Sequence, residues 1–319
     1  MTPGMLVEGE WRTGRHREDE EGRFIRPSTT FRDRVTAAGS SGYEAEPGRY
    51  HLYISWACPL AHRTAILRKL KGLEGAISLS VVDPIMGEGG WAFSGAFPDP
   101  VNGASYLREV YTRAEPSYTG RVTTPVLWDR KKKTIVNNES REIVRMLNQE
   151  FEAFAKNDVD FCPEDLREEV DYTLDELYEP VNNGVYKAGF ATEQDAYEEA
   201  VIELFHALDR WESVLGERRY LCGSRITEAD WAFFTTLVRF DPVYYGHFKC
   251  NLKRIIDYPN LWGYLRDLYQ QPGVAGTVYL DHIKRHYYES HKSINPTGIV
   301  PKGPILNYDE PHDRKRLSG

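Results

Sequence analysis

Two blocks of different periodicity predict an α/β domain followed by an all-α domain in this chain of 319 residues. Between Tyr50 and Leu147, strand-like alternation and helical spacing take turns; beyond Cys162-Pro163 the strand signals disappear and helical spacing alone remains. The third observation is Cys58, placed where a strand hands over to a helix. Hydrophobic residues at 41% and aromatics at 13% are enough to bury real cores, which excludes wholesale disorder. The formal charge of -8 argues against a general nucleic-acid binder.

Taken in order, residues 1 to 45 are polar and charged and read as an extended arm anchored by Trp11, Phe24 and Phe31. Tyr50-His-Leu-Tyr-Ile alternates and is rich in aromatic residues, which suits a half-buried strand; Ile66, Leu67 and Leu70 then recur at helical spacing. Pro59 marks the join, because its missing N–H is harmless in the first helical turn, and Cys58 therefore falls at the helix N-terminus. The free N–H groups and partial positive charge there favour a thiolate over a thiol. Ile77 to Asp83 reads as a second strand.

Residues 84–121 have no clear periodicity and include the glycine-rich Gly87-Glu-Gly-Gly-Trp-Ala-Phe-Ser-Gly95, whose spacing is not that of a phosphate loop. Trp91 within it reads either as an exposed aromatic over a ligand or as loop packing. Val122 to Asp129 and Thr134 to Asn137 form a predicted hairpin with the basic turn Arg130-Lys-Lys-Lys133, and Pro125 belongs at a strand start or edge. Asn138-Glu-Ser140 leads into an amphipathic helix from Arg141 to Leu147, with Ser140 as its cap. A helix N-terminus beside an acid and a hydroxyl suits a peptide-like ligand carrying carboxylate and ammonium groups; an ordinary capped helix looks the same. Strand, helix, strand, linker, strand, strand, helix is the thioredoxin-like order. Redox proteins of that kind that work alone use Cys-x-x-Cys, but the partner position here is Ala61. Cys58 thus needs a thiol from outside, and glutathione is the simplest source.

In the second block Leu166, Val170, Leu174 and Leu177, and then Tyr197, Val201, Leu204, Leu208, Trp211 and Leu215, follow helical spacing. Thr227 and Asp230 stand in the positions of a capping box, a structural role. Tyr186, Tyr244, Tyr245, Tyr264, Tyr269, Tyr279, Tyr287 and Tyr288 cluster in this half; each buried hydroxyl needs a partner, and some can line a pocket for an aromatic substrate. His282 and His286 lie four apart on a predicted helix, but no zincin glutamate or third ligand accompanies them, and no metal is assigned. Residues 293–304 are punctuated by proline and read as extended chain, with Asp313-Arg-Lys-Arg316 as a solvated end. Cys58, Cys162, Cys222 and Cys250 show neither zinc nor disulfide-framework spacing, and neither a leader pattern nor a bilayer-length apolar run occurs; a reducing cytoplasm and no membrane role are expected.

With these residues in view, the chain resembles the Xi class of glutathione transferases, the glutathionyl-hydroquinone reductases. The likeness runs from the arm through Cys58-Pro-Leu-Ala-His-Arg, Gly90-Trp91, Arg121-Val-Thr-Thr-Pro-Val-Leu-Trp-Asp129, Asn138-Glu-Ser140, Val238-Arg-Phe-Asp241 and Phe248-Lys-Cys-Asn251 to His286-Tyr-Tyr-Glu-Ser-His291 and Ile294-Asn-Pro-Thr-Gly-Ile-Val-Pro301. Leu60 departs from the family, which usually has Trp there. The resemblance implies the glutathione transferase fold: an arm at 1–45, a thioredoxin-like glutathione-binding domain at 46–155, a helical substrate domain at 156–292 and an extended tail at 293–319. It implies Cys58 as nucleophile, Trp91, Arg121, Thr124, Glu139 and Ser140 as glutathione ligands, with Thr124 acting through its backbone before a cis proline. Tyr186, Tyr244 and Tyr287 fall on the aromatic-substrate side, where Tyr186 and Tyr287 are candidate proton donors, and a homodimer is implied. Two further readings share the scaffold: a general glutathione-dependent thioltransferase or dehydroascorbate reductase, and a non-catalytic aromatic-ligand binder.

Overall fold

The computed structural model describes residues 4–14 and 19–317; the parts of the expected arm and tail at 1–3, 15–18 and 318–319 lie outside them. The described chain divides into two compact units, one formed by residues 4–14, 27–159 and 279–300, the other by 19–26, 160–278 and 301–317.

In chain order the first unit holds the short strands β1 (Met5–Val7) and β2 (Glu10–Arg12), then β3 (Tyr50–Ile54), α1 (Pro59–Leu70), β4 (Ile77–Val81), α2 (Leu107–Ala114), β5 (Val126–Asp129), β6 (Thr134–Asn137) and α3 (Ser140–Gln149). The main sheet runs β4-β3-β5-β6. β4 pairs parallel to β3, while β5 pairs antiparallel to β3 and β6 antiparallel to β5, which is the thioredoxin-like arrangement. β3 is buried along its whole length rather than on one face, as suits an interior strand covered on both sides. α2 lies in the stretch that sequence periodicity left irregular; Leu107, Val110 and Tyr111 form its buried stripe. β5 starts only at Val126, since Pro125 cannot donate to a ladder.

The second unit is helical: α4 (Arg167–Leu177), α5 (Gly184–Phe190), α6 (Gln194–Glu217), α7 (Glu228–Arg239), α8 (Tyr245–His247) and α9 (Pro259–Tyr269). The capping box of α7 forms: the Thr227 backbone N–H donates to Asp230 Oδ2 at 2.7 Å, and Asp230 Oδ1 accepts from the Leu221 N–H at 2.9 Å and the Tyr264 hydroxyl at 2.8 Å. Phe24 of the arm packs on Phe190, with ring centroids 5.4 Å apart. Asp313 to Arg316 is not a freely solvated end. Arg314 is buried, and its guanidinium donates to the carbonyls of Leu215, Arg218 and Arg219, satisfying the C-terminus of α6.

The last helix, α10 (Leu280–Ser290), was grouped with the helical domain on sequence, yet it falls in the first unit. Part of the reason is local: the Met86 N–H donates to Ser290 Oγ at 2.9 Å. Among the described residues no helix is long and apolar enough to cross a membrane.

Candidate active site

The register of the sheet decides which residues meet. Tyr53 of β3 lies opposite Val126 of antiparallel β5, so the chain leaving β3 toward Cys58 runs beside the chain entering β5 from Thr124. Leu127 lies opposite Asn137 at the end of β6, so the start of α3 emerges at the same end of the sheet. Three sequence-distant stretches, around Cys58, Thr124 and Glu139, are thereby gathered.

Cys58 is the N-cap of α1, extended at φ -76° and ψ 119°, with Pro59 as the first helical residue. Its carbonyl accepts the His62 N–H at 2.9 Å, and its N–H donates to Ser55 O at 3.1 Å. The thiol is half-buried, with Sγ 3.4 Å from the Thr124 carbonyl oxygen. The Thr124–Pro125 peptide is cis, and Thr124 Oγ1 is buried with no hydrogen-bond partner among the described residues. Leu60 follows one residue inside α1, half-buried. Cys162, Cys222 and Cys250 are buried and all belong to the second unit, so among the described residues the first unit offers no resolving thiol. Burial pushes the Cys222 thiol up to about 11 and pushes Cys250 further in the same direction.

At the second gathered stretch the cap of α3 is Glu139, not Ser140. The Glu139 carboxylate accepts the Arg141 N–H at 3.2 Å, the Ser140 hydroxyl at 3.4 Å and the Thr29 hydroxyl at 3.3 Å. Ser140 is the first helical residue and is buried. Asn137 steadies the turn, accepting the Glu139 N–H at 2.7 Å and donating to Glu142 at 2.7 Å. Burial opposes the charge of Glu142, yet hydrogen bonds from Arg32 and Asn137 hold its carboxyl below the usual carboxylate range.

Two tyrosines that sequence reasoning passed over hold the segment before the cis proline. Tyr111 donates from its hydroxyl to Thr123 O at 2.9 Å and accepts from the Thr123 N–H at 3.2 Å and from Asn138 Nδ2 at 3.1 Å. Tyr118 donates to Arg121 O at 3.0 Å. Burial raises the pKa of both hydroxyls, which keeps them protonated donors. Phe31 of the arm packs against both rings, at 5.8 and 5.5 Å. The buried stripe of α2 was the signal available for Tyr111.

Trp91 is not an exposed aromatic: its side chain is 7% exposed within the cluster that contains Val82, Leu107 and Trp128. Its ring stacks on that of His286, at 4.7 Å between centroids and 21° between planes. Gly90 before it has φ +84°, and a Cβ there would stand 2.9 Å from the Trp11 ring of the arm. Tyr287 is buried on α10 within this unit, its ring 5.1 Å from that of His286. Tyr186 and Tyr244 belong to the second unit, with rings 6.1 Å apart and Phe248 beside both at 5.5 and 5.6 Å. Arg26 lies over the Tyr186 ring at 4.8 Å. Among the described residues no group of three or more His, Cys, Asp or Glu gathers as a metal site.

A thioredoxin-like unit presenting one cysteine at a helix start, followed by a helical unit, defines a class. Residues 57–150 match the family model of the glutathione S-transferase N-terminal domain, and residues 194–267 match that of the C-terminal domain. The chain belongs to the glutathione S-transferase family. It is 52% identical to the glutathionyl-hydroquinone reductase YqjG of Escherichia coli, with 98% of each chain covered, and 52% identical to the glutathionyl-hydroquinone reductase PcpF of Sphingobium chlorophenolicum, over 94% of this chain and 96% of that one. Among solved structures, a Xi-class glutathione transferase from Natrialba magadii superposes with a TM-score of 0.94 at 55% identity, covering 99% of this chain and 98% of that one. The glutathione-bound structure of YqjG superposes with a TM-score of 0.91 at 51% identity, covering 98% of this chain and 99% of that one.

Proposed function

We propose that this protein is a Xi-class glutathionyl-hydroquinone reductase that uses Cys58 as nucleophile and glutathione as co-substrate. The observation that carries the reading is a half-buried Cys58 thiol at the start of α1, without a second cysteine in its unit, in a chain so similar to two reductases of that activity. In the first step the Cys58 thiolate attacks the sulfur of a glutathionyl-hydroquinone. The sulfur–carbon bond breaks, the ring carbon takes the electron pair and a proton, and Cys58 is left disulfide-bonded to glutathione. In the second step a glutathione thiolate attacks that disulfide, releasing oxidised glutathione and the Cys58 thiolate. The net change oxidises two glutathionyl sulfurs to one disulfide and reduces the ring carbon–sulfur bond to carbon–hydrogen.

Trp91, Arg121, the Thr124 backbone, Glu139 and Ser140 hold glutathione in this reading. The α3 N-terminus favours a carboxylate, and Glu139 is placed for an ammonium group. Tyr186, Tyr244 and Tyr287 form the aromatic-substrate side, and the hydroxyls of Tyr186 and Tyr287 orient the ring and deliver the proton to its carbon. The protein acts as a homodimer in a reducing cytoplasm. The test compares wild type with Cys58→Ala in glutathione-dependent reduction of a glutathionyl-hydroquinone: activity should be present in the first and absent in the second. A wild type inactive on that substrate but active on a simple mixed disulfide would replace this reading with a thioltransferase.

A further inference from the structure

The pair His282 and His286 has the spacing of metal ligands, but His286 is engaged elsewhere. Its Nδ1 lies 3.0 Å from the carbonyl oxygen of Pro84. A carbonyl only accepts, so Nδ1 carries the hydrogen and the plane of the ring is fixed. One turn further along α10, Ser290 Oγ accepts the Met86 N–H at 2.9 Å. The helix thus grips the segment between β4 and the glycine-rich loop at two points. With its plane set, the His286 ring covers the Trp91 indole at 4.7 Å and 21°. The Trp91 backbone is fastened independently, its carbonyl accepting the Leu107 N–H at 2.9 Å at the start of α2. The Trp91 backbone is thus fastened by α2, while its ring is stacked by a side chain of α10, nearly two hundred residues away in sequence.

We infer that His286 is a positioning residue: by stacking on Trp91 it sets the indole that receives glutathione. This rests on the reading of Trp91 as a glutathione contact. Tyr287, assigned to the aromatic substrate, is the next residue on the same helix, so one turn of α10 serves both halves of the site.

The test titrates reduced glutathione calorimetrically into the full-length wild type, His286→Ala, His286→Phe, Trp91→Ala and the double variant Trp91→Ala with His286→Ala. Loss of an aromatic stack corresponds to roughly three- to tenfold weaker binding in His286→Ala. His286→Phe keeps an aromatic face but loses the Nδ1 bond to Pro84 O, so its loss should be smaller than that of His286→Ala. In the Trp91→Ala background, His286→Ala should add no further loss, because its route to the ligand has gone. In the reductase assay His286→Ala should raise the KM for glutathione and leave kcat within about twofold, a split that general destabilisation does not produce. The inference is overturned if the losses of the two alanine variants multiply in full, or if His286→Phe binds as weakly as His286→Ala. A wild type that fails to bind glutathione sinks the functional reading and this inference with it. A wild type that binds while His286→Ala binds equally well sinks this inference alone.

Discussion

Replacing Tyr111 by Phe removes one oxygen atom from the first unit and should loosen the segment that faces the Cys58 thiol. The hydroxyl makes three good bonds, to Thr123 O at 2.9 Å, from the Thr123 N–H at 3.2 Å and from Asn138 Nδ2 at 3.1 Å, and its ring is fully buried. A hydrogen bond contributes about 1 kcal/mol net, and buried groups left without a partner add a desolvation cost, so the loss should be about 2 to 3 kcal/mol. For a protein of this size that corresponds to a fall in melting temperature of roughly 3 to 5 °C. Tyr118→Phe supplies an internal scale. Its hydroxyl donates to Arg121 O at 3.0 Å and accepts from Thr30 at only 3.3 Å, so about 1 kcal/mol is expected.

Scanning calorimetry of the two variants beside wild type measures the ratio directly, and titration with glutathione asks whether the loosened Thr123-Thr124 segment also binds more weakly. Tyr111→Phe should show the larger fall in both. An equal or smaller fall in Tyr111→Phe than in Tyr118→Phe would refute the argument that the Tyr111 hydroxyl is the principal fastening of this segment.

Further outcomes follow from other parts of the molecule. Burial holds the fully buried His51 down at about 4, against an ordinary value of 6.5. The unfolded chain then takes up a proton that the folded one refuses, so stability is fully present above about pH 6.5 and falls by ~3 kcal/mol as pH drops toward about 4. His51→Phe should flatten the melting-temperature profile across that window, and parallel profiles would contradict the assignment. Arg314→Met leaves the carbonyls of Leu215, Arg218 and Arg219 without their donor and should cost about 3 kcal/mol in thermal unfolding. Arg316→Met, which loses only a half-exposed pair with Asp313 at 2.9 Å, should change stability by less than about 0.5 kcal/mol. A Cβ on Gly189 would stand 2.2 Å from the Phe248 ring, which packs on Tyr186 and Tyr244. Gly189→Ala should therefore raise the KM for the aromatic substrate with little effect on that for glutathione, and steady-state kinetics with each substrate varied in turn decides it.

What could be read from the sequence was what neighbouring residues decide among themselves. Tyr50 to Ile54, the break at Pro59 and the placing of Cys58 on the helix start are local matters, and so is the Thr227–Asp230 box. The cap of α3 was missed by one residue, since Glu139 and Ser140 are both able to accept and only the backbone path shows that Glu139 is extended and Ser140 already helical. α2 is a helix of 8 residues whose N-cap, Tyr106, makes no side-chain capping bond, so it lacks the start signal that marks longer helices, although Leu107, Val110 and Tyr111 do carry its stripe. The sequence left Trp91 open between exposure and loop packing, and the burial of Arg314 could not be read from it at all. Each depends on partners far along the chain, His286 in one case and the end of α6 in the other, and no pattern within a helix or strand window encodes such a pairing.

The arrangement of thiols links the fold to the order of events in the proposed reaction. Cys58 sits half-buried at an open helix start, whereas Cys162, Cys222 and Cys250 are buried in the second unit, and burial drives two of those thiols away from the thiolate form. Ala61 occupies the position from which a neighbouring sulfur could attack. Among the described residues a mixed disulfide on Cys58 has no resolving thiol within its own unit, so in the proposed reaction turnover waits for a second glutathione, and the first product leaves before that glutathione reacts. The physical consequence is a ping-pong rate law. Initial rates measured at several fixed glutathione concentrations should give parallel lines in double-reciprocal form, and mass spectrometry of protein treated with the glutathionyl substrate alone should find one glutathione on Cys58. Converging lines together with an unmodified Cys58 would mean that both thiol steps occur in a single ternary complex, and the two-step scheme would have to be abandoned.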